Sequence, residues 1–326
     1  MRTLGILVIG IVIISACFAQ QSLAVDDAQD AYVIGLKSYN SKDYAEALKW
    51  FRKSADQGSA QAQGFLGSMY YSGQGVPQNY EEALKWFRKA ADQGDTIALE
   101  VLGFMYYFGQ GVPQNYEEAL KWFRKAADQG DAKAQVKLGS MYYFGQGIPH
   151  NYEEALEWFR KAADQGDTIA QVFVGLMYDN GQGVPQNYEE ALKWFRKAVD
   201  QGDAIAQRFL GRMYYKGRGV PQNNEEALKW FRKSVDQGDA VAHRFLGRMY
   251  YKGQGVPQNY EEALKWYRKA ADQGDAIAQR FLGFMYYEGQ GVPQNYKEAL
   301  KWYRKAADQG NKKAIKELQE LTKMGF

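Results

Sequence analysis

The amino-acid sequence predicts an all-α solenoid built from 36-residue helix-turn-helix repeats. Three observations carry this. All eight tryptophans, from Trp50 through Trp86, Trp122, Trp158, Trp194, Trp230 and Trp266 to Trp302, fall 36 residues apart. The seven prolines, from Pro77 to Pro293, keep the same spacing. Each element boundary within the period also carries its own capping residue. Composition alone does not produce an exact period, so one supersecondary unit has been copied without insertions.

The 326 residues therefore form a stacked array in which each unit meets its neighbours, not two unrelated domains. Hydrophobic residues are 46% of the chain, enough for a continuous core, and the formal net charge of +3 gives no strong global field toward nucleic acid or membrane.

The chain opens as an export signal over 1–19. Arg2 supplies the positive start, Leu4 to Ser15 is apolar, and small residues follow. The run is short for a membrane span of ~20 residues, so no span is expected in the mature chain. Two cleavage readings stand within 16–24, and an uncleaved membrane anchor is a third reading of the run. Ordinary cleavage after Ala19 or Ala24 releases a soluble protein. Ile14-Ser15-Ala16-Cys17 alternatively resembles a bacterial lipobox, with Cys17 carrying a lipid. The expected location is periplasmic or secreted, or anchored to the bacterial envelope through Cys17. Cys17 is the single cysteine, which excludes a disulfide framework.

Residues 28–58 read as a first helix pair with a tighter hairpin, like that of a tetratricopeptide repeat, since Gly35 and Trp50 are closer together than Gly67 and Trp86. Seven units follow at 59–94, 95–130, 131–166, 167–202, 203–238, 239–274 and 275–310. In the unit 59–94, Ala62, Leu66, Met69 and Tyr70 mark the buried face of a first helix. Gly73-Gln74-Gly75-Val76-Pro77 ends it, because glycine permits left-handed backbone and proline cannot continue a helix. Asn79 and Glu82 predict a capping box for a second helix. Its apolar stripe is Tyr80, Ala83, Leu84, Phe87, Ala90 and Ala91, with Trp86 at the edge toward the next unit. Glu81, four residues before Lys85, predicts an ion pair. Gly94 stops the helix and Asp95 caps the next. Residues 311–326 read as a closing helix. Ala314, Leu318 and Leu321 turn inward, while Lys312, Lys313, Lys316, Glu317, Glu320 and Lys323 face water.

The pattern Ala-x-x-x-Leu-Gly-x-Met-Tyr-x-x-Gly-x-Gly-Val-Pro, followed by Glu-Ala-x-x-Trp-Phe-x-Lys-Ala-Ala-x-Gln-Gly, resembles the Sel-one-like repeat, a relative of the tetratricopeptide repeat. The resemblance implies antiparallel helix pairs stacked in a right-handed superhelix, with the first helices lining its concave surface. It also implies an adaptor role. A cysteine-rich exported branch of that family has been credited with β-lactam binding or hydrolysis. This chain has none of the paired cysteines, so that activity is not carried over.

Catalytic chemistry has little to stand on. His150 and His243 each replace a glutamine of other copies and read as tolerated surface substitutions. Neither has a cysteine or second histidine nearby, so no metal is expected. The carboxylates of the Glu81, Glu82 and Asp92 positions recur in nearly every unit, whereas a catalytic pair should be singular. The Gly-x-Gly loops follow a helix, not a strand, which argues against phosphate binding. No enzyme activity and no cofactor are expected.

The copies differ mainly along one stripe of the first helices, at offsets 0, 3, 7 and 11 from Gln61 and its equivalents. Toward the N-terminus this stripe is apolar: Ile97, Phe104, Phe108, Val136, Phe144, Ile169, Val172 and Leu176. Toward the C-terminus it turns basic: Arg208, Arg212, Lys216, Arg244, Arg248, Lys252 and Arg280. The expected function is a non-catalytic exported scaffold. Its groove would take an extended or helical protein segment, apolar at one end and acidic at the other. Drift among duplicated copies would produce the same gradient. An acidic polysaccharide remains an alternative ligand, and an envelope hydrolase an alternative activity. The export signal argues against nucleic acid.

Overall fold

A computed structural model describes residues 28–325. The export segment and Cys17 lie outside the described residues, and with them the cleavage and lipidation readings. Seventeen helices and no strand occur among the described residues. Helix α1 covers 28–40, and α2 is Tyr44–Asp56. The pairs that follow are α3 (Ala60–Ser72) and α4 (Tyr80–Asp92), α5 (Thr96–Phe108) and α6 (Tyr116–Asp128), and α7 (Ala132–Phe144) and α8 (Tyr152–Asp164). Then come α9 (Thr168–Asn180) and α10 (Tyr188–Asp200), α11 (Ala204–Lys216) and α12 (Asn224–Asp236), α13 (Ala240–Lys252) and α14 (Tyr260–Asp272), and α15 (Ala276–Glu288) and α16 (Tyr296–Asp308). Helix α17 (Lys312–Lys323) closes the chain.

The helices gather into two compact units, one reaching Gln165 and the other starting at Gly166. Within each, consecutive helices pack on one another, the arrangement of an α/α solenoid. No helix among the described residues is long and apolar enough to cross a membrane.

The boundaries follow from local chemistry. Asp95 ends its extended segment by accepting the Ala98 N–H at 2.8 Å, satisfying an otherwise orphaned donor of α5. Asn79 does the same for Glu82 at 3.0 Å. The predicted capping box is one-sided. The Asn79 N–H is already spent on the Tyr70 carbonyl at 2.9 Å, folding the loop back onto α3. The Glu82 carboxylate turns instead to Lys85 at 2.6 Å. Lys85 therefore pairs three residues back with Glu82, not four back with Glu81. Gly73 carries the expected left-handed backbone, at φ 73°.

The core repeats with the sequence. Ala62, Leu66, Met69 and Tyr70 are buried on α3, and Ala83, Leu84, Trp86, Phe87, Ala90 and Ala91 on α4. Burying each such aromatic contributes ~1.5–3 kcal/mol. The helical glycine facing it has a steric purpose. A Cβ on Gly103 would lie 2.5 Å from the Phe123 ring. Glycine costs ~1 kcal/mol in a helix interior, offset here by the close approach of α5 and α6. In α17, Ala314 and Leu321 are buried and Leu318 packs beside them. Glu317 does not face water freely; it accepts Arg280 at 2.7 Å.

Candidate functional site: the face of the first helices

In the unit ending at Gln165, the predicted stripe lies on α3, α5 and α7. Ile97, Phe108 and Phe144 are exposed and Phe104 is half-buried. Phe104 and Phe108 stack in parallel and line a cavity of about 540 Å³ together with Tyr39, Tyr71 and Val101. The stripe brings these aromatics together as its spacing predicts. It did not predict Lys137, which lies 4.8 Å from the Tyr107 ring and 5.5 Å from that of Phe104. Burial among these rings lowers the Lys137 pKa.

In the unit from Gly166 onward, Leu176 is half-buried and Val172 is buried, so Val172 packs inside the fold instead of facing a ligand. The basic residues divide into two sets. Arg208 donates to Asp239 at 2.7 Å, Arg244 to Asp275 at 2.8 Å, and Arg280 to Glu317 at 2.7 Å. Asp239 and Asp275 are also the N-caps of α13 and α15. Arg208 and Arg244 therefore staple one first helix to the cap of the next, whereas Arg280 reaches Glu317 inside α17. The Arg208–Asp239 pair is largely out of water, with side-chain exposures of 14% and 10%. Such guanidinium groups are occupied within the chain.

The second set is Arg212, Lys216, Arg248 and Lys252. None has a carboxylate within ion-pairing distance among the described residues. Arg212 lies over the Phe209 ring and Arg248 near that of Tyr215. Burial lowers the Arg212 pKa against the pull of Asp179, and Arg208, Arg218 and Arg244 lower it further. Lys216 is depressed by burial and by the charges of Arg218, Arg212 and Arg248, which outweigh Asp179. A cluster of like charges that depress one another is poised for an anion, and a planar guanidinium suits a carboxylate.

Asp179 itself is a departure from the repeat. Elsewhere a tyrosine stands at this place and donates to a glutamine of the next loop, as in Tyr107 to Gln146 and Tyr251 to Gln290, both at 2.8 Å. At one seam the pair is replaced on both sides. Arg218 holds the buried Asp179 carboxylate at 2.9 and 3.1 Å. Comparison of the copies at these two offsets contains the signal, since both members change together.

Of the histidines, His150 sits in its loop and donates from Nδ1 to the Tyr143 carbonyl at 2.9 Å. His243 is not on the surface. It is buried at the helix position where Gln171, Gln207 and Gln279 are buried in the same unit, donates to the Asp239 carbonyl at 2.8 Å, and lies against Trp266. Among the described residues, no group of three or more His, Cys, Asp or Glu side chains could hold a metal.

A helix-pair array with this seam chemistry can be compared with known proteins. The Sel1 repeat model matches at 31–59, 60–95, 96–131, 132–167, 168–203, 204–239, 240–275 and 276–311. The chain belongs to the Sel1 repeat family. Its first helix pair, read from the sequence as a tighter tetratricopeptide-like hairpin, is matched as an eighth Sel1 repeat. A protective antigen of uropathogenic Escherichia coli displaying the SLR fold is 40% identical, with a TM-score of 0.73. That match covers 84% of this chain and 59% of the antigen, so the chain spans under two thirds of that protein. A Sel1 repeat protein from Oxalobacter formigenes is 36% identical over 93% of this chain and 90% of its own, also with a TM-score of 0.73. No curated protein matches the chain. Sel1 repeats form a scaffold fold that typically mediates protein–protein interaction and is generally non-catalytic.

Proposed function

We propose that this Sel1 repeat protein is an exported, non-catalytic scaffold that binds a protein partner along the face of its first helices. The observation that carries the reading is the division of the basic residues. Arg208, Arg244 and Arg280 are consumed by seams between repeats, yet Arg212, Lys216, Arg248 and Lys252 stand on neighbouring positions of these helices with no direct ion pair among the described residues, and Asp179, already held by Arg218, only partly offsets Arg212 and Lys216. Uncompensated cations crowded together cost stability, so their retention favours an external anion. The aromatic face of Phe104, Phe108 and Phe144 supplies the apolar contact, and exposed aromatics anchor interfaces. The partner segment is accordingly apolar in one part and acidic in another.

The export reading rests on the apolar N-terminal run. The likeness to an E. coli protein named a protective antigen agrees with it. Affinity capture from the envelope of the source cell, with wild type beside Arg212→Glu/Arg248→Glu, tests the proposal. A partner held by wild type and lost from the charge-reversed protein supports it; equal recovery of every partner overturns the placement.

The same four cations favour a second reading, an acidic polysaccharide. Affinity that falls steeply with added salt, and survives loss of Phe104 and Phe108, selects that ligand. A shallow salt dependence together with loss of binding in Phe104→Ala/Phe108→Ala selects the protein segment.

A further inference from the structure

A cavity of about 290 Å³ lies between α1, α3 and the start of α5, walled by Tyr32, Tyr39, Phe65 and Ile97. Gly64 and Asp95, the N-cap of α5, line it too. One Asp95 oxygen accepts the Ala98 N–H, and the other meets no donor among the described residues. Asp95 is half-buried, so its carboxylate stays within reach of a ligand in the cavity. The Tyr32 phenol, raised in pKa by burial and by the Asp95 charge, stands near without donating to it.

Gly64 is the unusual member. Its offset on the first helix holds Glu100, Val136, Val172, Arg208, Arg244 and Arg280 in the units that follow, so Gly64 alone offers no side chain. Close packing does not demand it. A Cβ on Gly67 would lie 2.9 Å from the Phe87 ring, whereas a Cβ on Gly64 would meet, beyond its own stretch of helix, nothing nearer than an Asp95 oxygen at 3.6 Å. Later seams show what fits there. Arg208 lies over the Phe209 ring, 4.5 Å from its centre, and donates to the cap Asp239. Arg244 lies 5.1 Å from the centre of Phe245 and donates to the cap Asp275. Phe65 and Asp95 hold the same two places, and Phe65 stacks on Phe51 as Phe209 stacks on Phe195. Phe209 and Phe245 are buried under their arginines, but Phe65 is only half-buried. An aromatic ring and a cap carboxylate with no side chain laid across them occur together only here.

We propose that this cavity receives an arginine side chain of the bound partner segment, its guanidinium donating to Asp95 and lying on Phe65 as Arg208 does in its own seam. Guanidinium suits the site better than ammonium, because its planar fork donates along an edge while its flat face covers the ring. Ile97, exposed at the rim, offers a surface to the arginine's apolar neighbour. The placement rests on the scaffold reading and adds a cationic anchor to the partner's apolar part.

The test uses the full mature chain and a fluorescein-labelled peptide repeating Gly-Phe-Arg-Gly, against the same peptide with neutral citrulline for arginine, read by anisotropy. Wild type should prefer the arginine peptide. Asp95→Asn, which keeps a good N-cap, should weaken binding about tenfold. Gly64→Arg, which supplies the missing side chain from within, should weaken it at least as much while raising the midpoint of thermal unfolding, as a restored staple requires. Glu81→Gln, which removes one exposed carboxylate from α4, should leave affinity within about threefold. No preference for arginine over citrulline overturns the pocket, as does equal binding by Asp95→Asn and wild type, or by a folded Gly64→Arg protein and wild type. So does a loss in Glu81→Gln as large as in Asp95→Asn, which would mean diffuse attraction. If the pocket fails but the charge-reversed Arg212→Glu/Arg248→Glu protein still loses its captured partner, the scaffold reading stands without it.

Discussion

Glu100 on α5 stands half-buried beside Asp131, the N-cap of α7, at the offset where Arg208 meets Asp239 and Arg244 meets Asp275. One seam thus sets like charges together where others set opposite ones. Burial raises the Glu100 pKa, Asp131 raises it further, and Lys133 opposes both.

Replacing Glu100 with Arg should stabilise the fold. The change removes the repulsion and offers Asp131 the partner Asp239 already has. After discounting for solvent screening at a half-exposed site, a gain of about 1 kcal/mol is expected in denaturant unfolding. A loss of stability would mean that α5 and α7 lie too far apart for the pair.

The same contact gives a pH signature. An acid with a raised native pKa holds its proton in the folded state after the unfolded chain has released it. Between the ordinary carboxylate value and Glu100's folded value, the native state binds more protons, so this group's contribution to stability falls as pH rises through that window. Glu100→Gln should match wild type below the window and exceed it above. A difference curve flat with pH would show that Glu100 does not sense Asp131.

These seams also mark the limit of what the sequence discloses. Caps, stops and the buried stripe are local: Asp95, Pro77 and Phe87 need only their own helix to be understood, and they fall where spacing places them. Spacing also places Arg208 on the variable stripe of the first helices, but a helical wheel gives an angle, not a neighbour. Whether the next repeat's cap comes within reach depends on the rise between repeats. That geometry consumes Arg208 and covers Val172, while leaving Arg212 one turn further on unpaired. His243 is misread for the same reason, since the buried glutamine row it joins exists only once the helices pack.

Gly103→Ala should destabilise by about 1–3 kcal/mol despite the better helix propensity of alanine, because its Cβ meets the Phe123 ring. Phe123→Leu in the Gly103→Ala background should cost less than Phe123→Leu alone, since the smaller side chain relieves the clash. Additive losses would place the damage elsewhere.

Lys137 occupies a place held by phenylalanine in most copies and lies among Phe104, Tyr107 and Phe108. Burial depresses its pKa, so the native state binds fewer protons than the unfolded chain and stability rises with pH toward the ordinary lysine value. Lys137→Met should stabilise by less than about 1 kcal/mol at neutral pH, because the lost cation–π contact offsets part of the gain. The advantage should shrink as pH climbs. An advantage constant with pH would assign the effect to packing, not to charge.

The exchanged pair at Asp179 and Arg218 gives the sharpest test of how seams are specified. Arg218→Gln leaves the Asp179 carboxylate, only 7% exposed, without its cation, and breaking such a pair costs about 3 kcal/mol. Asp179→Tyr alone faces an arginine that has lost its acceptor but can still reach water, since the Arg218 side chain is 30% exposed, so it should cost less. Asp179→Tyr/Arg218→Gln recreates the tyrosine–glutamine bond that Tyr107 and Gln146 make at 2.8 Å. The double variant should recover most of the stability lost by Arg218→Gln, with a coupling energy of about 1–3 kcal/mol in the cycle. It should also remove the one carboxylate that opposes the depression of Arg212 and Lys216, so it changes the charge offered to a ligand. Stability restored together with tighter binding of a glutamate-rich peptide would show that Asp179 restrains the cationic face. Stability restored with unchanged binding would confine the pair to the seam.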